Sequence, residues 1–133
     1  MKTKTRLALI LALALCAAFN LMAQKPVDMV GTWVGMATLE GEPEPNELTL
    51  VLELSEGNLS GHMSDQYGAM SETPISEITL EEGMFSFSVA AVAGGGQEFT
   101  LSFKMNVDGD SMEGELEIPD MGMKGTWEAT KQK

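Results

Sequence analysis

The sequence predicts an all-β protein: an eight-stranded antiparallel meander closing into a barrel, with a two-sheet sandwich as the alternative, after an N-terminal signal helix. Three observations predict it. From residue 30 onward apolar residues recur at every second position, with Thr, Ser, Glu and Lys between them. Short glycine-bearing turns separate these runs, and they are independent of the alternation. No stretch of this region shows a helical period.

The chain begins with a basic segment, Met1 to Arg6, followed by an apolar stretch from Leu7 to Phe19 and a small residue at Ala23. That order of parts is a signal peptide's, and the apolar stretch of about a dozen residues is too short to span a bilayer comfortably. The expected organisation is a signal peptide over 1–23, a short N-terminal segment over 24–29, and a single barrel domain over 30–133. The expected destination is export, to the periplasm or the extracellular space. A lipoprotein anchored through Cys16 is the rival, but Leu15 stands where such signals require a small residue. Cys16 is the chain's single cysteine, so cleavage leaves neither a disulfide nor thiolate chemistry. No later segment is apolar for long enough to span a membrane.

Beyond Ala23 the chain carries five lysines, no arginine and all twenty acids, a net charge of −15. Such a surface repels phosphate backbones and anionic lipid, and it lacks the side chain that makes bidentate phosphate contacts. Nucleic acid and membrane surfaces are excluded as expected partners.

The clearest alternation lies in 47–54, where Leu48, Leu50, Leu52 and Leu54 face one way, and in 99–107, where Phe99, Leu101, Phe103, Met105 and Val107 do. In 112–118 the outward set is Glu113, Glu115 and Glu117, a row of like charges that only a solvated face tolerates. Weaker strands are expected at 31–39, 58–65, 76–81, 84–92 and 123–130. The turns SEGN (55–58), EEGM (81–84) and DGDS (108–111) read as four-residue loops in one recurring register. Gly94 to Gly96 make a looser turn, Pro119 ends the seventh strand, and the longest linkers are 41–46 and 66–74. Residues 47–61 match 98–114 at nearly every inward position, which implies two similar halves of four strands. A Gly-Thr-Trp triplet occurs at 31–33 and again at 125–127, in the first and last strands. If those strands pair to close a barrel, Trp33 and Trp127 are expected to meet near one end and seal it.

The triplet ending at Trp33, followed by an eight-stranded meander, resembles the calycin group of lipocalins, fatty-acid-binding proteins and avidins. The stretch from Gly57 to Gly61 is similar to the glycine-framed second hairpin of avidins. The resemblance implies a small lipocalin-like exported domain with a ligand-binding interior. The chain departs from lipocalins in having no arginine to pack across the first-strand tryptophan, and from avidins in having Trp127 as its one late tryptophan.

Few residues qualify as chemistry. His62 is the single histidine and is expected on the outer face, which leaves no histidine pair for metal binding and no oriented base for a nucleophile. Met63, Met105, Met112 and Met123 fall on inward positions, where methionine fills gaps in a core. Asp108, Asp110 and Glu113, and separately Glu40, Glu42, Glu44 and Glu47, cluster in loops, but calcium needs six or more converging oxygens and a tight turn supplies few. The expectation is a protein with no catalytic residues, no metal and no cofactor.

Two functions remain. As a carrier, the barrel takes a small apolar ligand in an interior marked by Trp33, Gly35, Ala37, Gly61, Gly114, Gly125, Trp127 and Ala129, the small residues leaving room beside the large ones. As a structural or protein-interaction module, its core is filled, and Val34, Met36 and Val51 on the outer face mark an interface with a protein partner. Interior volume separates the two, a cavity of roughly 300 Å³ or more favouring the carrier.

Overall fold

The computed structural model describes residues 25–133; the signal-like stretch, its cleavage point after Ala23 and Cys16 lie outside the described residues. A single helical turn, α1 (Pro26–Met29), leads into eight strands: β1 (Gly31–Leu39), β2 (Asn46–Ser55), β3 (Asn58–Asp65), β4 (Thr73–Glu81), β5 (Met84–Val92), β6 (Glu98–Asp108), β7 (Ser111–Ile118) and β8 (Met123–Lys131). Each strand pairs antiparallel with the next, and β8 pairs with β1, so the sheet is a closed barrel. Closure removes the unpaired edges that an open sandwich would present. Among the described residues, no helix is long and apolar enough to cross a membrane.

The alternation read from the sequence is the burial pattern of the wall. Leu48, Leu50 and Leu52 on β2, and Leu101, Phe103 and Met105 on β6, are buried while their neighbours are exposed or half-buried. The internal repeat forms the β2–β3 and β6–β7 hairpins, which lie four strands apart in the closed order and thus on opposite sides of the barrel. Two features differ from expectation. The three glycine turns are tighter than four-residue loops, because Ser55 still pairs with Asn58, Glu81 with Met84 and Asp108 with Ser111. In two of them both central residues have positive φ, Glu56 (52°) with Gly57 (82°) and Glu82 (48°) with Gly83 (81°), the twist that matches a hairpin. Second, β4 starts three residues earlier than expected and carries a bulge between Ser76 and Thr79, centred on Glu77 at φ 52°. The extra residue shifts the alternation, which is why this strand shows the faintest pattern in sequence. Its pairing with β3 is also short: two registered pairs, His62 with Pro74 and Met63 with Thr73.

In a meander every second connection lies at the same end. The three two-residue turns, α1 and the C-terminus occupy one end; the connections 40–45, 66–72, 93–97 and 119–122 occupy the other. The first end is sealed. Met29 of α1 is wholly buried, its carbonyl accepts a hydrogen bond from Trp33 Nε1 at 2.9 Å, and the Lys131 ammonium lies 5.4 Å from the Trp33 ring centre while donating to the Asp28 carbonyl. Above this seal an aromatic stack fills the interior. Phe85 meets Phe87, Phe87 lies flat on Phe103 at 4.6 Å between centroids, and Phe103 takes the edge of Trp127 at 5.6 Å.

The two tryptophans do pair through their strands, but they do not meet. Trp33 stands opposite Lys131 and Trp127 opposite Ala37, four positions apart along the β1–β8 seam. At roughly 3.3 Å per residue the separation is about 13 Å along the strand. Trp33 closes the end; Trp127 belongs to the middle of the core, its Nε1 donating to the Gly35 carbonyl at 3.0 Å.

Candidate functional site

The opposite end is open. There the inward positions of the strand ends, among them Leu48, Ala91, Leu101, Leu116 and Ile118, are packed in the core at 0–7% exposure and form an apolar base, and the longer connections supply a rim that includes Glu42, Glu44, Asn46, Asp65 and Tyr67. Together they enclose a cup of about 230 Å³. The chemistry is split by position, with hydrocarbon below and carboxylate, amide and phenol above.

One wall of the cup is a folded loop, and Asp65 organises it. Its Oδ1 accepts the Met70 N–H at 2.7 Å, and its Oδ2 accepts the Tyr67 N–H at 3.2 Å and the Asn46 Nδ2 at 3.3 Å. The Asp65 N–H donates in turn to the Met70 carbonyl, so Met70 is bracketed from both sides and its side chain is driven into the core, 3% exposed. Further bonds tie the loop outward: Gln66 exchanges bonds with Glu47 at 2.7 and 3.2 Å, the Glu72 N–H donates to Ser64 Oγ, and the Val92 N–H donates to the Ala69 carbonyl. A carboxylate accepting three donors is a strong local anchor. It fixes this side of the mouth without a second element of structure beneath it.

The residues singled out in the sequence distribute as follows. Ala37 lines the cup, and Trp33 and Trp127 fill the interior below it. Gly35, Gly61, Gly114 and Gly125 lie within strands where a neighbouring strand's backbone approaches closely. A Cβ at Gly35 would overlap the Glu128 carbonyl and lie 2.7 Å from Ala129 Cα; one at Gly114 would overlap the Lys104 carbonyl and lie 2.8 Å from Met105 Cα. At Gly61 and Gly125 the overlapping groups are the Val51 and Thr38 carbonyls. Neighbouring backbone thus occupies the space beside all four, and the missing side chains permit that close approach. Gly114 has a second effect. It stands opposite Trp127, so the indole on β8 reaches across β7 to Phe103 on β6.

On the outer wall, Met36 is 44% exposed while Val34 and Val51 are half-buried. Val34 and Met36 line a groove of about 590 Å³ with Asn106, Glu113 and Glu128, and Val51, outside that groove, lies on the paired strand β2 diagonal to Val34 and opposite His62 of β3. A second groove of about 340 Å³ runs past Lys104, Glu115, Glu117 and Lys124. His62 faces outward but is not fully solvated: between Val51 and Pro74 its Nδ1 is buried without a partner. Among the described residues no three His, Cys, Asp or Glu side chains converge on a point that could hold a metal ion.

The Asp65 anchor, the single tyrosine at the rim and the cup itself were not singled out in the sequence. The signal was present in the spacing of turns. Alternate connections of a meander share an end, so the four longer ones had to gather around one mouth. Comparison with known proteins finds no matching family model, no similar curated protein and no similar solved structure.

Proposed function

We propose that this chain is an exported, non-catalytic, lipocalin-like barrel that binds a small apolar group in the cup at its open end. The observation carrying this reading is the 230 Å³ cup, apolar at its base and polar at its rim. A fully apolar cavity of about 150 Å³ admits benzene, so the volume suits one ring or a short alkyl chain rather than a long lipid. The residues around the cup favour binding over catalysis. They include no Ser, Thr, Cys, His or Lys, and Asp65 is already committed to three donors. The basic start and apolar run of the sequence support export, and the barrel topology supports the calycin resemblance.

A structural or protein-interaction module is the second reading. It is favoured by the filled interior, where Trp33, Phe85, Phe87, Phe103, Met105 and Trp127 are all buried, and by a cup smaller than the usual ligand pocket of about 300 Å³ or more. Calorimetric titration with 1-octanol separates the two. Saturable one-to-one binding to the wild type, weakened at least about tenfold in an Ala91→Leu variant of unchanged circular dichroism, is the expected result, because the larger side chain occupies the cup. Absence of saturable binding, or equal binding by the filled variant, overturns the carrier in favour of the module.

A further inference from the structure

Resting on that reading of the cup, we infer that the ligand is an amphiphilic cation, its short apolar tail on the floor and an ammonium-type head at the rim. The rim is rich in acceptors and poor in donors. Glu42, Glu44 and Asp65 contribute three carboxylates to the lining, and no lysine joins them. The Asn46 Nδ2 donates to Asp65 at 3.3 Å, while the Asn46 Oδ1 is buried with no donor at all. The open-end lysine, Lys124, lies on the outer wall, where it lines the groove with Glu115 and Glu117. A carboxylate or phosphate head placed here would meet like charge and find no cation to pair with.

The aromatic at the rim completes the argument. Tyr67, the chain's single tyrosine, lines the cup yet is 63% exposed. A phenol ring held in water at the lip of an apolar cavity, beside carboxylates, is the combination that attracts ammonium groups through charge and ring quadrupole together. The field of the whole molecule acts in the same direction, since twenty acids stand against five lysines beyond Ala23. Floor and rim thus specify opposite ends of one molecule.

Calorimetry with three ligands of the same chain, octylammonium, 1-octanol and octanoate, tests the head group apart from the cup. The ammonium is expected to bind at least about tenfold tighter than the alcohol, the carboxylate more weakly than the alcohol, and the ammonium's advantage to shrink in about 0.5 M salt. A Glu42→Gln, Glu44→Gln double variant and a Tyr67→Ala variant should each lower ammonium affinity by a larger factor than octanol affinity, with unchanged circular dichroism verifying their fold. Equal affinity for all three ligands, or variants that lose ammonium and alcohol affinity in the same proportion, overturns the inference and leaves the cup standing. Failure of all three to bind overturns the cup as well.

Discussion

Replacing Gly114 with alanine is expected to destabilise the barrel severely, although alanine is the smallest change available. The added methyl would overlap the Lys104 carbonyl and sit 2.8 Å from Met105 Cα, where ordinary contact begins near 3.4 Å. Both obstacles are backbone and cannot rotate aside. β7 must therefore move off β6 by roughly an ångström, stretching ladder bonds of about 2.9 Å beyond useful length. Each such bond contributes about 1 kcal/mol net, and each buried group left unpaired costs about 1–3 kcal/mol. With the Trp127–Phe103 contact strained as well, the loss should reach about 3–5 kcal/mol, a large part of the roughly 5–15 kcal/mol that stabilises a domain. Urea unfolding followed by tryptophan fluorescence reads this as a midpoint lowered by about 2 M or more, for a slope of about 1–2 kcal/mol per molar. Two glycines serve as controls. Gly94→Ala meets nothing within 4 Å at ordinary φ and should change stability by less than about 0.5 kcal/mol. Gly57→Ala also meets nothing within 4 Å but sits at φ 82°, and should cost about 1 kcal/mol from strain alone. A Gly114→Ala protein as stable as Gly94→Ala would refute the close-approach argument. If it had also lost affinity for octanol, the glycine would be making room for ligand instead.

Three other perturbations test other parts of the molecule. Asp65→Ala removes the acceptor of three hydrogen bonds and should cost about 2–3 kcal/mol, with amides 66–72 losing hydrogen-exchange protection while those of β6 and β7 keep theirs. Met29→Ala opens the sealed end beneath Trp33 and should cost about 2–4 kcal/mol in urea unfolding, with a red shift of native tryptophan emission as water reaches the indole. Glu56→Asn and Glu82→Asn place a side chain tolerant of positive φ at the first position of each tight turn, and each should stabilise by about 0.5 kcal/mol, measured as a raised urea midpoint.

Strand parity was legible because every wall position faces either core or water, and the sequence spells that choice out at Leu48 to Leu52 and at Leu101 to Met105. The bulge on β4 was not, since one extra residue reverses the alternation and Glu77, at φ 52°, is not a residue that announces a left-handed position. Nor did the glycines declare their role. A small inward residue reads the same whether it makes room for a ligand or for a neighbouring strand, and only the approach of the Lys104 and Glu128 carbonyls distinguishes the two. The tryptophans illustrate a third limit. A repeated triplet located both on paired strands, but their relative height depends on register, which put Trp127 opposite Ala37 rather than level with Trp33.

The two ends of the barrel close differently, and the difference follows from connection length. At the sealed end, two-residue turns hold the strands at hairpin spacing, so side chains such as Trp33, with Met29 beneath it, close the interior. At the other end, connections of four to seven residues do not draw the strands together as tightly, and a hollow of about 230 Å³ remains above the packed strand ends. A loop there must be supported by its own hydrogen bonds, which is the work of Asp65, and it is free to carry groups that a core would reject, as Glu42, Glu44 and Tyr67 are carried. Shortening connection 66–72 would thus disturb the rim and the packing of Met70 together, whereas lengthening a tight turn would act on the sealed end.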